Sequence, residues 1–274
     1  MIAFPNAKIN IGLSVINKRT DGYHNLKSLF YPIPLYDALE IIVNKNINSP
    51  IIKTYGNNIN CAPEDNICIK AFNVLKEKYD IPFVEIYLYK SIPHGAGLGG
   101  GSSNGASMIV MLNNTFNLNL NEKEMIELAS TVGSDCPFFI YNRPMLAEGR
   151  GEVLSPFSID LSGNFLVLIK PTFDISTKLA YSLLKPSGEE SNLEQKLLLP
   201  INEWKNNIFN DFEDVIFKEY LELQKIKDTL YSIGSTYTSM SGSGSTIYGI
   251  FSSPPDSKEI DRYFKNYYYK ILKL

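Results

Sequence analysis

An α+β fold is predicted for the 274-residue chain. Segments with strand-like apolar alternation and segments with a helix-like apolar face occur in both halves. They do not alternate strictly, which argues against a doubly wound parallel sheet. The length suits one large domain or two smaller ones, and the glycine-bearing stretch Glu148-Gly149-Arg150-Gly151-Glu152 suggests a boundary near residue 150.

Taken in order, Ile2 to Val15 reads as one or two strands, interrupted by Pro5 and Gly12, and the Asp21-Gly22 pair marks a hairpin or loop. Lys27–Val43 is β-like, with breaks expected at Pro32 and Pro34. Asn66–Lys78 has a helical apolar face built on Ile67, Phe72 and Leu75. Phe83–Tyr89 alternates, putting Val84, Ile86 and Leu88 on one side of a strand. A glycine-rich turn then leads into Ala106–Leu112, with a helix start at Ser102-Ser103-Asn104. Glu122–Ser130 is a second helix and Phe138–Tyr141 a strand. Beyond residue 150, Phe165–Lys170 is a strand, and Thr177–Leu184 and Val215–Ser232 are helical. The segment from Thr238 to Phe251 reads as strand, glycine turn, then strand or helix, and the tyrosine-rich end as a final helix.

Composition excludes several classes of function. With 26 basic against 29 acidic residues, a net charge of −3 gives no electrostatic reason to expect nucleic acid. Cys61, Cys68 and Cys136 lack both CxxC and zinc-ligand spacing, so a reducing compartment is expected. No segment approaches the ~18 apolar residues of a membrane span. Pro5, Asn6, Lys8 and Asn10 break up the apolar opening, which is also poor in Arg and Ser, so neither signal nor transit peptide is expected. The expectation is a cytoplasmic protein without membrane or nucleic-acid partners, and the sequence is silent on its oligomeric state.

The strongest local signal is Pro93-His94-Gly95-Ala96-Gly97-Leu98-Gly99-Gly100-Gly101-Ser102-Ser103. Where such a loop runs into a helix, free backbone N–H groups and the positive end of the helix dipole make an anion site. Ser102 and Ser103 would add hydroxyls near a phosphate or its metal, and Lys90 upstream could supply charge. A Walker A loop needs a Lys after its glycines, and none follows. Gly95-x-Gly97-x-x-Gly100 fits a dinucleotide fingerprint literally, a weak match on its own. A flexible hinge is the bland alternative.

These residues resemble the GHMP kinase superfamily, whose phosphate loop PxGxGLGSSAA is matched by Pro93–Ser103. Within it, the likeness is closest to the branch acting on 4-diphosphocytidyl-2-C-methyl-D-erythritol in non-mevalonate isoprenoid synthesis. Four further segments carry that likeness: Ala7-Lys8-Ile9-Asn10, Arg19-Thr20-Asp21-Gly22-Tyr23-His24, the run from Gly133 to Phe139, and Ala147–Glu152. Ser241-Gly242-Ser243-Gly244 corresponds to the third glycine motif. His94, Ala96 and Cys136 depart from the common pattern without removing a group the chemistry needs.

The resemblance implies a two-domain fold. Residues 1–150 would form an ATP-binding domain like the second domain of ribosomal protein S5. Residues 151–274 would form a ferredoxin-like αβ domain closing over the substrate. It implies ATP as co-substrate with Mg²⁺, no metal ligand from the protein, and phosphorylation of the 2-hydroxyl. Asp135, which on residues alone could be a turn or N-cap aspartate, falls at the catalytic carboxylate position. Lys8, otherwise an even choice between a sheet-face lysine and a functional one, would pair with Asp135 and the acceptor hydroxyl, favouring proton removal. Asn10 would bind substrate near that hydroxyl. Tyr23 would stack on the cytosine and His24 read its polar edge, with Thr177 and Tyr181 as the pocket's second wall. Asn66 and Ile67 would contact adenine, and Lys90 and the loop Pro93–Ser103 would hold the rest of the nucleotide. The rivals are a mevalonate- or homoserine-type kinase, a nicotinamide-dependent oxidoreductase built on Gly95, Gly97 and Gly100, and a non-catalytic nucleotide sensor.

Overall fold

The computed structural model describes residues 1–59, 61–186, 188 and 192–274. Strand β1 (Ile2–Ala3) is separated from β2 (Asn6–Lys18) at Phe4-Pro5, while Gly12, expected to interrupt the run, stays inside β2. After the Arg19–Tyr23 turn, β3 (His24–Tyr36) runs through both Pro32 and Pro34. Its pairing with the later strand β7 covers Ser28–Phe30, so on that side neither proline has to donate a ladder hydrogen bond. The break falls instead at Asp37, ahead of β4 (Ala38–Val43).

The next strand, β5 (Ile51–Gly56), was not anticipated: five of its six residues are exposed, so no buried alternation marks it. Helix α1 (Ile67–Lys78) starts at Asn66, whose side chain accepts from the Cys68 N–H at 3.0 Å. In β6 (Val84–Lys90), Val84, Ile86 and Leu88 are buried in alternation, as the pattern predicts. Helix α2 (Gly100–Phe116) begins two residues before the expected Ser102, taking Gly100 and Gly101 into its first turn. A capping box between Asn121 and Glu124 opens α3 (Glu122–Val132). The stretch expected as a strand at Phe138–Tyr141 belongs to a helix, α4 (Cys136–Tyr141). Pro137 in its first turn is preset for helix, and four apolar residues cannot by themselves distinguish the two periods.

Strands β7 (Met145–Glu148) and β8 (Val153–Pro156) form a hairpin that encloses Arg150, followed by β9 (Phe165–Lys170) and α5 (Thr177–Leu183). Two short helices, α6 (Leu193–Leu197) and α7 (Ile201–Asn207), went unpredicted. The helix expected over Val215–Ser232 is two, α8 (Glu213–Glu219) and α9 (Leu221–Ser232), parted where Tyr220 leaves helical dihedrals. Strands β10 (Tyr237–Met240) and β11 (Ile247–Phe251) flank the late glycine turn. The aromatic run expected as a final helix ends α10 (Ser257–Phe264) and opens an edge strand, β12 (Tyr268–Lys273).

The chain folds into two units. One comprises Met1–Lys8, Leu35–His94 and Gly99–Arg143. Its sheet has the order β1-β4-β6-β5, with β6 antiparallel to β4 and parallel to β5, and α1, α2, α3 and α4 pack with one another. The other comprises Ile9–Pro34, Gly95–Leu98 and Pro144–Leu274. It holds a β2-β3-β7-β8 sheet and an antiparallel β10-β11-β9-β12 sheet. Leu13, Val167, Leu223, Ile226 and Ile247 lie at the heart of its apolar core.

Candidate active site

In the first unit, β2 carries Lys8 between the buried Ala7 and Ile9. Its Nζ lies 3.7 Å from Asp135 Oδ2, and the lysine side chain is 5% exposed against 30% for the aspartate. Burial pushes the Lys8 ammonium below its ordinary pKa of 10.5, opposed by the Asp135 charge. Asp135 occupies the N-cap position of α4 without making a capping hydrogen bond. Gly99, at φ +68°, brings the start of α2 against the same place. A Cβ there would lie 2.8 Å from Phe139 Cζ and 3.0 Å from Lys8 Cγ, so only glycine lets the helix begin this close to the lysine. The residues expected as base and partner are therefore together, beside a helix N-terminus.

The expected adenine contacts do local structural work. Asn66 is the α1 cap, and Ile67 packs against α2, where a Cβ on Gly105 would meet its Cγ1 at 2.9 Å. Lys90 Nζ donates to Asp37 and, at 3.0 Å, to Asn104 Oδ1. Ser103 is buried and its N–H donates to the Gly99 carbonyl, whereas Gly101 and His94 are exposed. A Cβ on Gly101 would meet nothing within 4 Å.

In the second unit, Asn10 is 3% exposed and fixed by a chain of hydrogen bonds. Its side-chain amide donates to Ser28 Oγ at 2.9 Å, Ser28 Oγ donates to the Gly12 carbonyl at 2.6 Å, and Tyr248 OH donates to the Asn10 carbonyl at 2.8 Å. Ser241 Oγ accepts from the Asn10 N–H at 3.2 Å and donates to the Gly97 carbonyl at 2.8 Å. Gly97 has φ +74°, and a Cβ there would collide with the Ser241 carbonyl oxygen. The turn is held from behind by Asn210, whose amide donates to the Met240 and Gly242 carbonyls, each at 2.8 Å. Nothing in the sequence pattern singled out Ser28, Asn210 or Tyr248.

The expected base-binding residues also meet. His24 stacks on Tyr181 with ring centroids 4.8 Å apart and 17° between planes, and Phe212 closes edge-on against Tyr181 at 4.9 Å. Burial, reinforced by the Lys18 charge, holds His24 below its ordinary pKa of 6.5. Thr177 Oγ1 lies 3.1 Å from Ser243 Oγ. Tyr23 is 57% exposed, with the Arg150 guanidinium 4.9 Å from its ring centre.

Family models match at both ends: the GHMP kinase N-terminal domain over residues 66–143 and the GHMP kinase C-terminal domain over 192–270. The 4-diphosphocytidyl-2-C-methyl-D-erythritol kinase of Bacteroides fragilis is 48% identical over 259 residues, 94% of each chain. The chain belongs to this family of GHMP kinases. The family's member from Thermodesulfovibrio yellowstonii is 36% identical, covering 97% of this chain and 95% of its own. A crystal structure of a 4-(cytidine 5'-diphospho)-2C-methyl-D-erythritol kinase covers both chains completely, with a TM-score of 0.83 and 29% identity. Mevalonate kinase from Methanococcus jannaschii shares the fold at TM-score 0.71 and 13% identity, covering 100% of this chain and 98% of its own. Among the described residues no helix is long and apolar enough to cross a membrane.

Proposed function

We propose that this protein transfers the γ-phosphoryl group of ATP to the 2-hydroxyl of 4-diphosphocytidyl-2-C-methyl-D-erythritol, giving the 2-phosphate and ADP. The observation that carries the proposal is the Lys8–Asp135 pair beside the start of α2. Phosphoryl transfer asks the protein mainly for positioning and charge stabilisation. Asp135 would accept the hydroxyl proton as the acceptor oxygen attacks, and the Lys8 ammonium would offset the negative charge gathering there. The first turn of α2, through its free N–H groups and dipole, would bind the triphosphate. The stacked His24–Tyr181 pair and the open ring of Tyr23 support a flat, polar-edged base as the handle of the substrate.

We assign the nucleotide to residues 1–150, with Asn66, Ile67, Lys90 and the loop Pro93–Ser103 around it. Thr177 and Tyr181 of residues 151–274 join Asn10, Tyr23 and His24 on the substrate. Among the described residues no cluster of three His, Cys, Asp or Glu could hold a metal ion. Mg²⁺ would arrive on the triphosphate, with the Ser102 hydroxyl offering a protein oxygen; bound there, it would neutralise phosphate charge. The charge balance and unpaired cysteines support a cytoplasmic location.

The test is ADP release with the cytidyl substrate beside mevalonate and homoserine, in the native protein and in Asp135→Asn. Turnover on the cytidyl substrate alone, reduced about 10²–10⁴-fold in the variant, is expected. Turnover on another alcohol would keep the kinase and overturn the base-binding role of Tyr23 and His24.

A further inference from the structure

We propose that Asp37 is a positioning residue that sets the two ends of the glycine-rich loop, and through them the loop's grip on ATP; this rests on the nucleotide assignment above. Asp37 sits at the break between β3 and β4, and its side chain is fully buried. Its Oδ1 accepts from the Ser91 N–H at 2.8 Å and the Ile92 N–H at 2.9 Å, where the chain leaves β6 to start the loop. Its Oδ2 accepts from Lys90 Nζ and, at 2.9 Å, from the Asn104 amide, in the part of α2 where the loop ends. Asn104 in turn accepts from Lys90 Nζ through Oδ1. One carboxylate thus ties down both feet of the loop. Gly100 packs on the same group, for a Cβ there would lie 2.8 Å from Ile92 Cγ2 and 3.2 Å from Lys90 Nζ.

Four donors converge on Asp37, and only a carboxylate offers two oxygens that can each accept two of them. Burying an ion pair is a poor way to gain stability, since a packed apolar pair would serve as well. What the carboxylate provides is a fixed distance between Ser91-Ile92 and Asn104. The N–H groups of α2 can hold a phosphate only if that distance is right, because hydrogen bonds weaken steeply with misalignment. Lys90, expected at the nucleotide, is accordingly a strut of this cluster.

Asp37→Asn keeps the oxygen facing Ser91 and Ile92 but turns a donating amide NH₂ toward Lys90 and Asn104, which are themselves donors there. The KM for ATP is expected to rise tenfold or more, with the KM for the cytidyl alcohol changed less than twofold. Asp37→Asn combined with Asn104→Asp returns a carboxylate to Lys90 from the helix side and should restore the KM for ATP to within threefold of native. Equal shifts in both KM values, no shift, or a double variant no better than the single would overturn the proposal. If Asp37→Asn does not fold, Asn104→Ala, which removes the helix-side strut and leaves the Asp37–Lys90 pair, is read in the same way. A native protein that neither binds nor turns over ATP would instead overturn the nucleotide assignment itself.

Discussion

Lys8 is buried almost completely, yet the proposed chemistry asks it to carry a charge, and the Asp135 carboxylate lies 3.7 Å from its tip. Because burial pulls its pKa below 10.5, the alkaline fall in kcat should begin below that value. In Lys8→Arg the guanidinium stays charged to beyond about pH 12, so the fall should move up or vanish while some activity remains. Profiles of kcat between pH 6 and 11 check this; a fall at the same pH in both proteins would remove Lys8 from the proton-transfer step. The sequence makes Lys8 odd, a lysine between two apolar residues of a strand, but no spacing links it to a partner 127 positions away. Only the family motif pointed to Asp135. Asp37 left no trace, because it sits inside the β-like stretch Lys27–Val43 and its four donors come from two distant segments, Lys90–Ile92 and Asn104.

Within single elements, legibility followed period and capping. The alternation of β6 and the Asn121–Glu124 capping box of α3 are local signals, and both elements appeared where expected. Helix α4 and the edge strands β5 and β12 are settled by neighbours: by Pro137 and burial in one case, by pairing with β6 and β9 in the others. Two glycines of the loop should separate folding from binding. Gly97→Ala forces a positive φ on a side chain and drives its Cβ into the Ser241 carbonyl, so a loss of about 2 kcal/mol, or roughly 4–8 °C in melting temperature, is expected. Gly101→Ala meets open space at a helix start and should stabilise by about 0.5–1 kcal/mol. Its methyl group nevertheless points where a phosphate would approach, so the KM for ATP should rise tenfold. Calorimetric melts and ATP titrations of the two variants decide it; a Gly101→Ala protein with native ATP affinity would move the phosphate away from α2.

At the scale of the whole chain, the two units share the backbone in alternating pieces instead of dividing it once. Residue 150 lies in the turn of the β7–β8 hairpin, and β7 pairs with β3 through Ser28↔Ala147. Separate fragments 1–150 and 151–274 would therefore each lack part of a sheet. Far-UV circular dichroism and amide dispersion should show both incompletely folded, with structure returning when they are mixed. Two independently well-folded fragments would contradict the interleaved architecture. The family models, at 66–143 and 192–270, mark pieces of this arrangement without the N-terminal strands that complete it.

The hydrogen bond from Tyr248 to Asn10 spans 238 residues. At a ribosomal pace of about 5–20 residues per second, Asn10 would wait roughly 10–50 s after its own synthesis before Tyr248 exists to meet it. Ser241, which also bonds to Asn10, comes only slightly earlier. The opening strand is thus among the first segments made and among the last completed, and the carboxy-terminal third of the message sets the moment at which the amino-terminal residues of the proposed substrate site take their final form.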